Sequence, residues 1–282
     1  MNKLPAEKRA AIIRCLVDGV SIRATCRIVG VAKGTILKLL PEVGEAVREY
    51  QRSVFVNLPC TKLQLDEIWG FVASKEKNTD PELRGMGKVG DVWTWTAICA
   101  DTKLMPCWHV GARDAFAAKL FLDDLAPRLA NRVQLTTDGH HAYLSAVGRA
   151  FGYDVDYAQI VKVYGGQGYP KGRYSPAELL RIEKNDIIGK PDEKHISTSF
   201  AERANLTMRM NMRRFTRLTN AFSKKVENHL HSVSLHMMHY NFCRAHQTLT
   251  LNAKGIHTTP AMAAGITDHV WKIEEIIALL PN

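Results

Sequence analysis

Three carboxylates stand in separate acid-poor contexts: Asp66 in KLQLDEIWGFV, Asp138 in RVQLTTDGHHAY and Glu202 in SFAERANLTMRMNMRRFTR. The first two follow short strand-like runs, and the third opens a strongly basic helix. Mg2+ takes hard oxygen ligands and keeps several waters, so a few carboxylates from different elements suffice to hold it. Two such ions, roughly 3.5 to 4 Å apart, clamp the attacking and leaving oxygens of a phosphoryl transfer, and one carboxylate must bridge them. The pattern points to nucleic-acid chemistry, with Asp66 the candidate bridge, Asp138 just after a strand, and Glu202 reaching in from a helix.

Each acid also has a plainer reading. Glu67 competes with Asp66, because consecutive strand residues point to opposite faces and alternation alone does not choose between Gln64, Asp66, Ile68 and Leu63, Leu65, Glu67. Asp138 precedes Gly139 and a helix, where an aspartate caps. Glu202 suits a helix N-terminus through the macrodipole. The residues after Glu202 favour the chemical reading: Asn205, Arg209, Arg213 and Arg217 recur every four positions, and Arg203, Arg214, Lys224 and Lys225 add to the field. Like charges at that spacing cost roughly a few tenths of a kcal/mol each, so the stripe implies a compensating anion such as a phosphate backbone.

Other candidates are weaker. His229, His231, His236, His239 and His246 cluster in one segment, without an HExxH motif or a cysteine partner, and read as packing or DNA-facing imidazoles rather than a zinc site. Whether His195 assists a metal site is open. Trp69, Trp93 and Trp95 read as core or edge aromatics. The six cysteines form no CxxC pair, which fits a reduced protein without a zinc ribbon.

These residues need elements to position them. Residues 5–40 read as three short helices: Pro5 opens the first, Ser21 caps the second, and Gly30 turns into the third. Cys26, Gly30 and Ile36 sit at the small-residue, positive-φ and buried-aliphatic positions of a helix-turn-helix, leaving Lys33, Thr35 and Lys38 on the exposed side of the recognition helix. Residues 41–60, from Pro41, read as a connecting helix and linker. KLQLDEIWGFV, DVWTWTAICAD and LMPCWHVG then read as an antiparallel meander, followed by helix DAFAAKLFLDDLAPRLA, strand RVQLTTD and helix HHAYLSAVGRAF. Three strands, helix, strand, helix is the order of a ribonuclease-H-like domain. Residues 152–194 read as an insertion of loops around a short strand, DVDYAQIVKVY, and a short helix, AELLRIE. From Ser197 to Arg244 the chain reads as helical with a break near Thr219, and WKIEEIIALL as an amphipathic helix folding back on the core.

Composition agrees with a polyanionic partner. Lys+Arg number 38 against 28 Asp+Glu, for a formal net charge of +10, and counterion release favours such a chain on nucleic acid. With 282 residues, 46% hydrophobic, the chain has enough for one sizeable core and a small appendage. The absence of an apolar signal core or spanning run leads to the expectation of a soluble, cytoplasmic, nucleoid-associated protein.

The runs DEIWGFVASKEKN, WTWTAI, TTDGHHAY, AERANLTMRMNMRRFTRLTNAFSKK and TPAMAAGITDHVW together resemble the IS1-family DDE transposases over nearly the whole chain. The most specific motifs are ER-x-N-x-T-x-R and R-x-T-x-x-FSK. The resemblance implies a mixed α/β, ribonuclease-H-like catalytic domain, Mg2+ or Mn2+, and cleavage and joining at inverted-repeat ends, with the acidic triad on Asp66, Asp138 and Glu202. It departs in lacking the N-terminal zinc finger of better-known members and in a wider gap between the second and third acids, which the insertion accounts for. The expected organisation is an all-α helix-turn-helix domain over 1–45, a linker over 46–60, the catalytic domain over 61–250 and a helical tail over 251–282. The expected partner is double-stranded DNA, both terminal repeats and target, bound by a homodimer or higher oligomer. Arg23, Lys33, Thr35, Lys38, Arg203, Asn205, Arg209, Arg213 and Arg217 are the expected DNA contacts. The alternatives are a ribonuclease-H-like nuclease that only hydrolyses and a silent repeat-binding repressor.

Overall fold

Side-chain alternation organises the central sheet. In β1 (Lys62–Val72), Leu63 and Leu65 are buried in the main core on one face, while Ile68 is buried in a second cluster on the other. β2 (Gly90–Cys99) repeats the division, with Trp95, Ala97 and Cys99 on the first face and Ile98 on the second. The computed structural model describes residues 4–84, 89–165, 178–216 and 219–281.

Six strands lie in the order β3-β2-β1-β4-β5-β6, with β3 at Cys107–Gly111, β4 at Val133–Asp138, β5 at Val155–Tyr164 and β6 at Leu179–Ile188. β1, β2 and β3 form an antiparallel meander, and β4 and β5 run parallel to β1. A parallel crossover needs a long connection, supplied by α4 (Ala115–Leu125) and by α5 (Ala142–Phe151). This is the strand order of a ribonuclease-H-like fold, extended by β6, which pairs antiparallel with β5. Trp95, Phe121 and Tyr143 fill the space between the sheet and α4 and α5.

The opposite face is covered by α6 (Ser199–Asn211) and α7 (Val226–Met238), through Ala201, Ala204, Met208, Val233 and Met237 packed on Ile68 and Ile98. Before the sheet come α1 (Ala6–Val17), α2 (Ile22–Val29) and α3 (Lys33–Val54). Ser21 Oγ accepts the Ala24 N–H at 3.2 Å at the start of α2. Gly30 ends it in the left-handed region, φ 70°, where a side chain would be strained. α1 and α3 share the main core with the sheet. No helix of the described residues is long and apolar enough to cross a membrane.

Three expectations need correction. The third helix does not stop at Leu40: α3 runs through Pro41 to Val54. Pro41 removes one backbone donor, but Val43, Gly44, Val47 and Gln51 beyond it are buried, and that packing outweighs the lost bond. Within residues 152–194 the expected strand DVDYAQIVKVY is present, as an integral member of the sheet, but most of AELLRIE lies in strand β6 rather than in a helix. Ala, Glu and Leu favour a helix, but pairing along β5 overrides that preference. The Gly- and Pro-rich part of the stretch, 166–177, lies outside the described residues. Finally, the helical run from Ser197 breaks much more widely than at Thr219. α6 ends at Asn211, a 3-10 turn spans Arg213–Phe215, and α7 begins only at Val226.

After α7 a π-helical turn (His239–Cys243) leads to α8 (Gln247–Asn252), α9 (Pro260–Ala263) and α10 (Ile273–Ala278). Ile273, Ile276, Ile277 and Leu280 are buried in the main core, so the C-terminal segment folds back as expected.

Candidate active site

The β1–β4 ladder runs from Lys62↔Gln134 to Gln64↔Thr136. Asp66 and Asp138 each lie two residues beyond the last rung, on the same face by the period of the strand. Asp66 faces α6. Its Oδ2 accepts the Asn205 Nδ2–H at 2.8 Å and its Oδ1 accepts the Glu67 N–H at 2.8 Å. Burial pushes the Asp66 carboxyl up to about 6; the charges of Asp138 and Glu202 add to the rise, and the two hydrogen bonds oppose it.

Glu67 faces α4 and α5, with its side chain only 1% exposed. Arg113 Nε donates to its Oε2 at 3.1 Å, while the buried Oε1 lacks a hydrogen bond of normal geometry although Tyr143 lies alongside. Burial pushes Glu67 up to about 7, with Asp138 and Asp66 adding to the rise and Tyr143 and Arg113 opposing it. Asp138 Oδ1 accepts the His140 N–H at 3.0 Å, and its Oδ2 accepts from Arg113 Nη2 at 3.4 Å. The turn after the strand therefore uses one oxygen and leaves the other facing the cluster. Helix α5 itself has no side-chain cap, so Asp138 closes an Asx turn rather than capping the helix.

Asp66, Glu67 and Asp138 each offer one carboxylate oxygen, and these atoms lie within 4.8 Å of one another. Asp66 and Glu67 thus do not exclude each other: adjacent residues on opposite faces both reach Asp138, which stands past the end of the β1–β4 ladder. Glu202, in the first turn of α6, is outside this group. Its Oε1 accepts the Thr198 hydroxyl at 2.7 Å and pairs with Lys162 on β5. Gln64 anchors the start of α6 by accepting the N–H groups of Phe200 at 2.7 Å and Ala201 at 3.3 Å. All-oxygen donors, with the Asp66 and Glu67 carboxyls raised and Arg113 as countercharge, suit a hard divalent cation.

Several site residues were missed or misassigned from sequence. Arg113, between β3 and α4, bridges two of the acids and stacks 4.9 Å from the centroid of Trp93. Nothing in its local spacing marks it. Gln64 and Lys162 likewise carry no motif. Asn205, expected as a phosphate contact, is 6% exposed and holds Asp66 instead. Because α6 ends at Asn211, Arg213 lies in the following turn and is not on one helical stripe with Asn205 and Arg209. Arg203 and Arg213 are exposed, Arg209 is half-buried, and Arg217 lies outside the described residues. Arg23, Lys33 and Lys38 are exposed and Thr35 is half-buried. His195 is exposed, 3.7 Å from Asp192, and outside the acidic group. His229 and His236 are buried and burial pushes both down to about 3, so they pack as neutral rings.

No protein-family model matches the chain. No curated protein matches it. Among solved structures, the piggyBac transposase synaptic complex with hairpin DNA, a cryo-EM structure, aligns over 100% of this chain and 77% of its own, at 11% identity and a TM-score of 0.43. Endonuclease V from Streptomyces avermitilis aligns over 62% of this chain and 87% of its own, at 15% identity and a TM-score of 0.21. Both scores are low, and the fold assignment rests on the strand order itself.

Proposed function

We propose that this protein is a DNA transposase that cleaves and joins DNA at the ends of an insertion sequence. The observation that carries the reading is the meeting of Asp66, Glu67 and Asp138 just beyond the end of the β1–β4 ladder, with Glu202 on the helix packed alongside. Asp66, Asp138 and Glu202 are the acids assigned to the cation site, with Glu67 a further donor. Bound Mg2+ or Mn2+ supplies charge neutralisation at the scissile phosphate and activation of the attacking hydroxyl.

The chain's own residues prepare that site. Asn205 fixes the Asp66 carboxylate, so its free lone pairs keep one direction. Gln64 fixes the start of α6, and with it the height of Glu202 above the sheet. Arg113 pairs with Glu67 and Asp138 beside the place a cation would occupy. Glu202 must leave Lys162 to join the other acids, and Lys162, freed, is placed to meet a phosphate. Arg203, Arg209, Arg213 and Arg217 are assigned to the backbone of the bound strand, which positions DNA without reading it. Lys33, Thr35 and Lys38, on the helix after the Gly30 turn, are assigned to base edges, with Arg23 beside them on phosphate.

The test is strand transfer from a labelled duplex carrying the element's terminal repeat and a free 3′-OH into a supercoiled plasmid, in Mg2+ and in EDTA. Metal-dependent joining that disappears in Glu202→Gln and Asp138→Asn, with duplex binding kept within severalfold, is the expected result. Hydrolysis without joining would identify a nuclease, and repeat binding with neither would identify a repressor.

A further inference from the structure

Away from the acids, a cavity of about 960 Å³ opens between the N-terminal helices and the connection from α6 to α7. Arg23 and Lys33 line one wall; Arg213, Arg214, Lys224 and Lys225 line the other. No Asp or Glu is among the described lining residues. None of these cations forms an ion pair with a described carboxylate.

Arg214 is the residue that gives the cavity its character. Its Nη1 donates to Ser223 Oγ at 2.9 Å, and Ser223 in turn bonds His229 Nδ1 at 2.9 Å. Behind the guanidinium there is therefore a hydroxyl and a neutral ring, not a countercharge. Arg214 is half-buried, and desolvation draws it down to about 10. A half-buried charge without a countercharge is disfavoured, and neighbouring cations make it more so. Arginine is also the side chain whose planar fork fits a phosphate.

We propose that this cavity binds the phosphate backbone of DNA at a place separate from the acidic cluster, with Arg214 as its anchoring cation. The proposal rests on the DNA-processing reading above. Helix α6 links the two places: from Glu202 to Asn211 the helical rise amounts to about 14 Å, or about four base pairs at 3.4 Å each. A duplex running along α6 with its reacting phosphodiester at the acids would meet the cavity a few base pairs inward, where the N-terminal helices form the other wall.

The experiment is fluorescence anisotropy of a fluorescein-labelled duplex oligonucleotide titrated with the full chain across a range of salt. Thermal unfolding of each variant with added inorganic phosphate runs in parallel. Arg214→Met should weaken duplex binding about tenfold while leaving the unfolding temperature unchanged or higher, since an uncompensated charge is removed. Lys224→Ala with Lys225→Ala, both exposed, should reduce the salt slope by about 2. Wild-type affinity and slope in both variants would overturn the proposal while leaving the transposase reading intact. Phosphate stabilisation that depends on Arg214, with duplex affinity unaffected, would also overturn it, by identifying a site for free anions. A wild-type chain that neither binds duplex nor cleaves it would instead remove the reading on which the proposal rests.

Discussion

Asp66 and Glu67 are neighbours on opposite faces of one strand, and both meet Asp138. Their raised pKa values, about 6 and about 7, have a direct consequence for cation binding. A protonated carboxyl does not hold a divalent ion, so Mg2+ affinity should fall as pH drops through this range, by about one order of magnitude per pH unit for each proton displaced. Isothermal titration calorimetry between pH 8 and about 5.5 reads this directly; constant affinity would mean that the pair is not part of the cation site. Arg113 competes for the same charges. Arg113→Met should raise Mg2+ affinity and cost the metal-free protein up to about 1 kcal/mol, the modest figure reflecting a half-exposed guanidinium. Equal affinity in the variant and the parent would show that Arg113 does not occupy the cation's place.

At the scale of elements, the contact of α3 with α7 decides how the N-terminal helices sit on the sheet domain. Gly44 makes that approach possible: a Cβ there would lie 2.4 Å from His231 Cβ and 2.8 Å from its Cα. Relief requires the two helices to separate, so Gly44→Ala should destabilise by about 1 to 3 kcal/mol, read as a lower urea midpoint at unchanged m-value. An unchanged midpoint would mean that the packing of α3 on α7 adapts freely. The meander, α4, β4 and α5 were legible in the sequence because the strands are runs of aromatic and β-branched residues bounded by polar segments and the two helices carry a buried stripe. β6 and the width of the α6–α7 break were not: a break near Thr219 was legible, but not its start after Asn211. Leu179, Leu180, Ile182 and Ile187 are exposed, so β6 has no buried face to mark it, and only its pairing with β5 makes it a strand. The basic run after Glu202 reads as continuous helix because Met and Arg both favour one, yet Met212 and Phe215 turn into the cluster under β1 and end it.

For the molecule as a whole, two sets of buried titratable groups oppose each other in acid. His229 and His236 are held near 3 against an ordinary value of 6.5, so the unfolded chain takes up their protons first and stability falls as pH drops below 6.5. Each contributes about 1.4 kcal/mol per pH unit within that window. Asp66 and Glu67 act in the opposite sense. With folded pKa values raised from 3.8 and 4.5, the folded chain takes up their protons first, and stability rises as pH falls through about 7 and 6. Metal-free protein should therefore lose stability on acidification less steeply than an Asp66→Asn, Glu67→Gln variant. Parallel curves from urea unfolding would sink this balance.

Local period and backbone freedom suffice to specify the strand carrying Asp66, the strand end carrying Asp138, the helix start carrying Glu202, and the positive-φ turn at Gly30. Tertiary structure decided the rest. The end of the β1–β4 ladder lets Glu67 join Asp66 at Asp138, the packing of α6 turns Asn205 inward onto a carboxylate, and the loop after β3 delivers Arg113 between two acids. These three depend on distances between segments far apart in the chain. Local residue preferences set the elements, but carry no information about such distances.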